Sequence, residues 1–305
     1  MDLSKKSLAI VGTGQMGCSI GLGLHGKVGL VAGVDTNKNS VEQAIQQGMV
    51  DVEWSLHDAI AYANIIVVAT PVDVAIPIIT EILDYVDERT VVIDLGSTKA
   101  SICSALKSHI NRKNFVAAHP MAGSSVKGLD GADADLFAGC KTYICQPQRS
   151  SSYALKVAHE LFHQLNSKVE YIEPLQHDRL VGLVSHLPQL VAYSLCNVVK
   201  SVNHENPEWE NIASTGFDSA SRLAKSPASM WLPIVNQNKQ NVLSNLGLMI
   251  AELQRLEQSI AANNQLAVAD FIDSAVDIRE QFEESRKQLK ARDNGKRKSS
   301  SIAAA

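Results

Sequence analysis

Short apolar runs alternate with amphipathic stretches from residue 7 to about residue 171. Leu8-Ala9-Ile10-Val11, Leu30-Val31-Ala32-Gly33-Val34, Ile65-Ile66-Val67-Val68-Ala69 and Val91-Val92-Ile93-Asp94-Leu95 read as buried parallel strands, with Phe115-Val116-Ala117-Ala118 as another. Continuous β-branched runs belong to strands covered on both faces, where no polar alternation is needed. Between them, residues 15–25, 38–47, 73–85 and 98–109 carry helical spacing. Repeated strand–helix units predict an open, doubly wound α/β sheet.

After residue 171 the strand-like runs stop. Long helical patterns occupy 176–199, 228–262 and 266–290, with breaks at Pro207 and in the neighbourhood of Gly216 and Pro227. The second half is therefore expected to be all-helical. Residues 181–199 are almost uninterruptedly apolar, more than one small subunit can cover, which predicts a helical dimer interface and a homodimer. The expected organisation is a sheet domain over 1–171, a helical domain over 172–288 and a tail over 289–305.

Composition agrees with this division. A chain of 305 residues suits two domains, and 45% hydrophobic with 20% charged residues is the balance of a soluble globular protein. No apolar stretch approaches the ~20 residues of a membrane span without a charge or glycine. The polar N-terminus lacks the apolar segment of a secretory signal, so the cytoplasm is the expected location. The net charge of −4 conceals a basic run, since 286–298 holds seven Lys and Arg against Asp293 alone. That run has no interleaved aromatics and ends in serines and alanines, so a solvated, disordered tail is expected rather than a nucleic-acid surface. Five cysteines, Cys18, Cys103, Cys140, Cys145 and Cys196, lie scattered without metal-ligand spacing; reduced, mostly buried thiols and no metal site are expected.

Gly12-Thr13-Gly14-Gln15-Met16-Gly17 follows the first strand and opens the first helix. In such a loop the first glycine permits the tight turn, the second lets backbone approach a pyrophosphate, and the third allows close helix–strand packing; the phosphates rest on free N–H groups at the positive helix end. Asp35 ends the second strand, 18 residues beyond Gly17. A carboxylate there accepts both ribose hydroxyls of NAD and repels the extra phosphate of NADP, and no Arg follows it; Lys38 is the one nearby cation. The first domain is therefore expected to be a Rossmann-type sheet binding NAD. Thr70-Pro71 ends another strand at the same edge, and two readings stand open: a border of the nicotinamide ribose, or a turn that starts a helix.

Two further segments leave the sheet at that edge, Asp94-Leu95-Gly96-Ser97-Thr98-Lys99 and Ala118-His119-Pro120-Met121-Ala122-Gly123-Ser124. A His there, with a hydroxyl such as Ser97 in reach, polarises a substrate hydroxyl as hydride leaves.

Together with Ser185-His186-Leu187-Pro188, then Gly216-Phe217, Ser221-Arg222-Leu223-Ala224-Lys225-Ser226 and Met230-Trp231, these motifs resemble the prephenate/arogenate dehydrogenase family over about residues 7–260. The resemblance implies a Rossmann domain followed by a helical dimerisation domain, and NAD-dependent oxidative decarboxylation of prephenate to 4-hydroxyphenylpyruvate in tyrosine biosynthesis. It implies that His119 accepts a hydrogen bond from the ring hydroxyl, that Ser97 sits between this His and the cofactor, and that His186 and Arg222 hold the substrate. Ser124 stands near the substrate's side chain, and Trp231 matches a Trp brought to the partner subunit's active site. Arg222 suits a dianion because its planar fork binds a carboxylate in two places. Where some prephenate-specific relatives have an acid, this chain has Ser124-Ser125; where some have an Asp three residues before the Arg, it has Ser219, with Asp218 adjacent. Both prephenate and arogenate therefore stand as substrates. A β-hydroxyacid dehydrogenase would place a Lys mid-helix where this chain has His186, and Lys200 lies at the far end. A sensor that binds NAD without turnover would not need His119, His186 and Arg222 together.

Overall fold

The computed structural model describes residues 1–123, 128–202 and 208–302, with backbone alone for 289–302. Among the described residues eight strands form one sheet in the order β3-β2-β1-β4-β5-β6-β7-β8. They are β1 (Ser7–Val11), β2 (Leu30–Val34), β3 (Val52–Glu53), β4 (Ile65–Val68), β5 (Val91–Asp94), β6 (Phe115–Pro120), β7 (Lys141–Cys145) and β8 (Lys168–Ile172). The five strands expected from continuous apolar runs are all present, and β1 lies between β2 and β4 in parallel register. Successive side chains of a strand point to opposite faces. Leu8 and Ile10 accordingly join one apolar cluster with Ile20 and Phe162, while Ala9 and Val11 join another with Ile66, Ile79 and Phe115.

The last two strands were not legible as apolar runs, and β7 is antiparallel to β6, pairing Pro120 with Thr142. The reason is the connection. Strand β6 ends at the carboxyl edge with Pro120, and β7 begins beside it, with Thr142 opposite Pro120, so β7 must run back. β8 then pairs parallel with β7.

The helices flanking the sheet are α1 (Gln15–Leu24), α2 (Lys38–Gln46), α3 (Leu56–Tyr62), α4 (Val72–Tyr85), α5 (Ala100–Ala105) and α6 (Ser152–Gln164). Ser55 opens α3 with a capping box closed by Asp58. Beyond β8 the described elements are helical: α7 (Pro174–Val181), α8 (Leu187–Val202), α9 (Trp209–Ile212), α10 (Thr215–Ser221), α11 (Ala228–Gln237), α12 (Lys239–Ala261) and α13 (Gln265–Ile302). The pattern over 176–199 is not one regular helix, because a π-helical turn, Gly182–His186, separates α7 from α8. The pattern over 228–262 is likewise broken, at Asn238 (φ −105°, ψ 25°). Pro207 lies outside the described residues.

By packing, the chain divides into two compact units between residues 243 and 244. The second unit comprises the remainder of α12, a turn at Asn263 (φ 52°) and α13. The backbone of α13 runs helical to Ile302, into the stretch expected as a solvated tail. Among the described residues no helix is long and apolar enough to cross a membrane. The five cysteines are free, and burial pushes the thiols of Cys18 and Cys103 up to about 12 and about 11.

Candidate active site

The glycine loop is built as its spacing requires. Gly12 has φ +100°, and a Cβ on it would meet the Ala69 carbonyl oxygen at 2.8 Å. A Cβ on Gly17 would stand 2.1 Å from the Gly12 carbonyl oxygen, so α1 packs against the β1 turn only without a side chain there. A Cβ on Gly14 meets nothing within 4 Å. Gly14 is also the N-cap of α1, so the open space at Gly14 adjoins the backbone N–H groups of a positive helix end.

Asp35 follows β2. Its Oδ2 accepts the Thr13 N–H at 2.8 Å and the Thr13 hydroxyl at 3.1 Å, and its Oδ1 accepts the Asn37 N–H at 2.9 Å. Thr13 is itself fully buried, so it positions Asp35 and lies away from the cavity. Open cradle, close-packed glycines and a carboxylate at the second strand end together fit a dinucleotide.

A cavity of about 480 Å³ opens at the carboxyl edge of the sheet beside this loop. Gly14, Gln15 and Met16 line it from the loop, and Thr70 and Pro71 from the end of β4. The buried Thr70 hydroxyl has no partner among the described residues, which favours the ribose-border reading of that segment over a bare turn. Ser97, His119, His186 and Trp231 line the same cavity, so the sequence-derived residues of both halves converge. Trp231, matched to a partner-subunit residue in the resemblance, lies in the cavity wall of its own chain, its ring edge-on to His186 at 5.7 Å. Arg222 does not line the cavity. It is exposed, at the start of the 3-10 turn Arg222–Lys225, which Gln189 holds by donating to the Leu223 carbonyl at 2.6 Å. The next residue after this turn, Ser226, does line the cavity. Ser124 and Ser125 lie outside the described residues.

Behind Ser97, a fully buried Lys99 pairs with Asp94, whose Oδ1 accepts the Gly96 N–H at 2.8 Å. The pair neutralises itself in the core and fixes the turn that presents Ser97. Breaking such a buried pair by removing one partner costs about 3–5 kcal/mol.

Two histidines face the cavity with their partners behind them. His119 Nδ1 lies 2.8 Å from His177 Nε2, and His177 Nδ1 lies 2.8 Å from Asp178 Oδ1. Burial, and then the neighbouring His177, Lys99 and His186, hold His119 well below the ordinary imidazole value. His186 is 1% exposed, and burial brings it down to about 4, against the opposing pull of Asp178. Its Nδ1 stands 3.1 Å from Asn238 Nδ2, whose other hydrogen goes to the Asp178 carbonyl at 2.7 Å. The Asp178 carbonyl can only accept, so the atom facing it is Nδ2, which fixes the amide orientation, and Asn238 Oδ1 accepts from Asn241. His186 Nδ1 is therefore an acceptor, and its proton sits on Nε2. At neutral pH both rings are uncharged.

His177, Asp178 and Asn238 escaped the sequence reading. Gln176-His177-Asp178-Arg179 is a polar run that looks like a solvated helix face, yet His177 and Asp178 are 1% and 2% exposed. Asn238 was equally hidden, since the helical pattern runs through it from 228 to 262 and only the structure shows the break there.

Models of known families match most of the chain. One described as the prephenate dehydrogenase nucleotide-binding domain matches residues 21–171, and one described as the prephenate dehydrogenase dimerization domain matches residues 173–274. The prephenate dehydrogenase of Lactococcus lactis is 26% identical over 282 residues, covering 91% of this chain and 78% of that protein. That of Bacillus subtilis is 25% identical over 287 residues, covering 92% and 77%. The crystal structure of prephenate dehydrogenase from Aquifex aeolicus in complex with hydroxyphenyl propionate and NAD+ superposes with a TM-score of 0.83 at 26% identity, covering 92% of this chain and all (100%) of that one.

Because the space at Gly14 is open, Gly14→Ala is expected to leave the thermal midpoint within about 1 °C while weakening NADH binding at least about tenfold, measured by fluorescence titration. Unchanged NADH affinity would remove the loop from the cofactor site.

Proposed function

The chain belongs to the prephenate dehydrogenase family, and on that premise we propose that it is an NAD-dependent prephenate dehydrogenase of tyrosine biosynthesis. The observation that carries this reading is the cavity in which His119, with its free Nε2, and Ser97 stand beside the open glycine cradle. The reaction takes a hydride from the ring carbon bearing the hydroxyl, and the ring carboxylate leaves as carbon dioxide with its bonding electrons passing into the ring. The hydroxyl keeps its proton in the phenolic product, so charge balances without net proton release.

NAD bound at the cradle supplies the hydride acceptor, and Gly12, Thr13, Gly14, Gln15, Met16, Gly17, Asp35, Thr70 and Pro71 are the residues proposed to form or shape its site. Asp35 supports NAD over NADP, since a second negative charge beside its carboxylate is repelled. His119 accepts the hydrogen bond of the ring hydroxyl, and that bond strengthens as positive charge develops on the carbon. Ser97 orders the space between this His and the cofactor. His186 offers an Nε2–H donor to the substrate, a role supported by its Nδ1 bond to Asn238. Trp231, Val72 and Ile234 wall the cavity with apolar surface, excluding water and strengthening these bonds. Arg222 is proposed to meet a substrate carboxylate at the rim, with Ser124 near the side chain; the continuity of its turn with the cavity-lining Ser226 supports this.

A homodimer is proposed on two grounds. The matched family domain is described as a dimerization domain, and Leu175, Leu183, Val184 and Val198 stand exposed on the helical half. Sedimentation velocity at micromolar concentration is expected to show a dimer, and a monomer would overturn this.

The deciding assay follows NADH absorbance with prephenate or arogenate, and with NAD or NADP. Turnover is expected with prephenate and NAD; turnover with arogenate alone would overturn the substrate assignment, and none with either would favour a sensor. His119→Asn is expected to lower kcat by about 10²–10⁴-fold with NADH affinity near normal. Arg222→Ala is expected to act mainly on KM, and an unchanged KM would remove Arg222 from the site.

The active form of His119 is the unprotonated ring, so activity is lost as pH falls through its folded-state pKa. That value lies well below the ordinary 6.5. The kcat/KM profile is therefore expected to stay level from about pH 8 to about pH 6 and to fall only below that. An acid limb centred at or above the ordinary imidazole value would contradict the neutral, buried site.

A further inference from the structure

The line His119–His177–Asp178 runs inward from the cavity and touches none of the groups assigned above to substrate or cofactor except His119 itself. Asp178 is buried and its acceptor capacity is directed. Oδ1 accepts the Lys99 N–H at 2.8 Å and faces His177 Nδ1 at 2.8 Å, and Oδ2 accepts the Ala100 N–H at 2.8 Å. A carboxylate so placed can only accept, so His177 donates from Nδ1. When His177 is neutral its Nε2 carries a lone pair, and the nitrogen facing it at 2.8 Å, His119 Nδ1, must carry the proton.

We propose that His177 and Asp178 are positioning residues that hold His119 as the Nδ1–H tautomer, with the Nε2 lone pair presented to the cavity. In water a neutral imidazole carries its proton mainly on Nε2, which would turn a second donor toward the substrate hydroxyl. The buried pair reverses that preference. It also restrains the ring, since the two imidazoles meet edge-on with centroids 5.0 Å apart at 71°. As the hydroxyl bond strengthens, positive charge on His119 is met by an acceptor whose far side is bound to a carboxylate. No proton need leave the site, because the hydroxyl keeps its own.

The role of the pair in turnover rests on the proposed function, but the tautomer does not, so the two can fail separately. The direct test is long-range ¹H–¹⁵N correlation on histidine-labelled, NADH-saturated protein, with His119 assigned by its loss in His119→Asn. The expected result is a protonated Nδ1 and an unprotonated Nε2 in His119. A protonated Nε2 overturns the proposal, whether or not prephenate is turned over.

His177→Phe keeps a ring but removes the acceptor, while His177→Gln restores one through its side-chain carbonyl. In the Phe variant the His119 signal is expected to move toward the Nε2–H form. Its kcat is expected to fall about 100-fold, the lower end of what a positioned acid–base group contributes, with KM within about threefold. The Gln variant is expected to recover most of both. Unchanged NADH affinity in each variant reports that the fold is intact. A Phe variant that keeps the wild-type tautomer and kcat would overturn the proposal, as would a loss confined to KM. Asp178 is the poorer target, because its removal would also strand the Lys99 and Ala100 N–H groups.

Discussion

The carboxylate of Asp178 ties the helical half of the first unit to the edge of the sheet. Its side chain takes the first N–H groups of α5 and the ring of His177, and its backbone carbonyl takes the Asn238 amide. These three attachments belong to the β5–α5 turn, to α7 and to the break between α11 and α12. Each donor is buried or nearly so, and leaving one unmade would cost about 1–3 kcal/mol. A buried carboxylate is tolerated here because every direction around it is answered by a donor. The position of Ser97, which follows β5, and the orientations of His119 and His186 all depend on that arrangement.

Around this tie the charges are settled before any substrate arrives. Lys99 is matched by Asp94, Asp178 by backbone and His177, and both cavity histidines are held neutral by burial. Neutral rings with fixed tautomers are more selective than cations, because each offers one donor or one acceptor in a known direction. His186 presents a proton and His119 a lone pair, and the difference comes from what stands behind each Nδ1: an amide donor for one, an imidazole for the other. Two chemically identical side chains thus receive opposite roles from their second partners. The apolar wall of Val72, Trp231 and Ile234 keeps those roles from being diluted by water.

The interruption of the helices does similar work. In a regular helix His177 and His186, nine residues apart at about 100° each, would face opposite sides. The π turn Gly182–His186 absorbs one extra residue and brings the two to within about 80° of each other. His177 can then reach His119 while His186 lines the cavity. The break at Asn238 likewise frees a side chain that would otherwise sit mid-helix to bridge His186 and the Asp178 carbonyl.

Local chemistry was enough for much of this protein. Continuous β-branched runs marked five of the six inner strands, β1, β2, β4, β5 and β6, because strands covered on both faces need no polar alternation. The glycine spacing marked the cradle, because close backbone approach excludes a Cβ whatever surrounds it. His119 and Ser97 stood out because they end strands at the edge where a dinucleotide lies. What sequence alone did not contain was the reversal at β7, set by where the chain re-enters the sheet, and the burial of His177 and Asp178. A polar tetrad on a helix has no intrinsic side. Only packing against β6 and α5 turned it inward, and only then did His119 acquire a partner that decides which nitrogen faces the substrate.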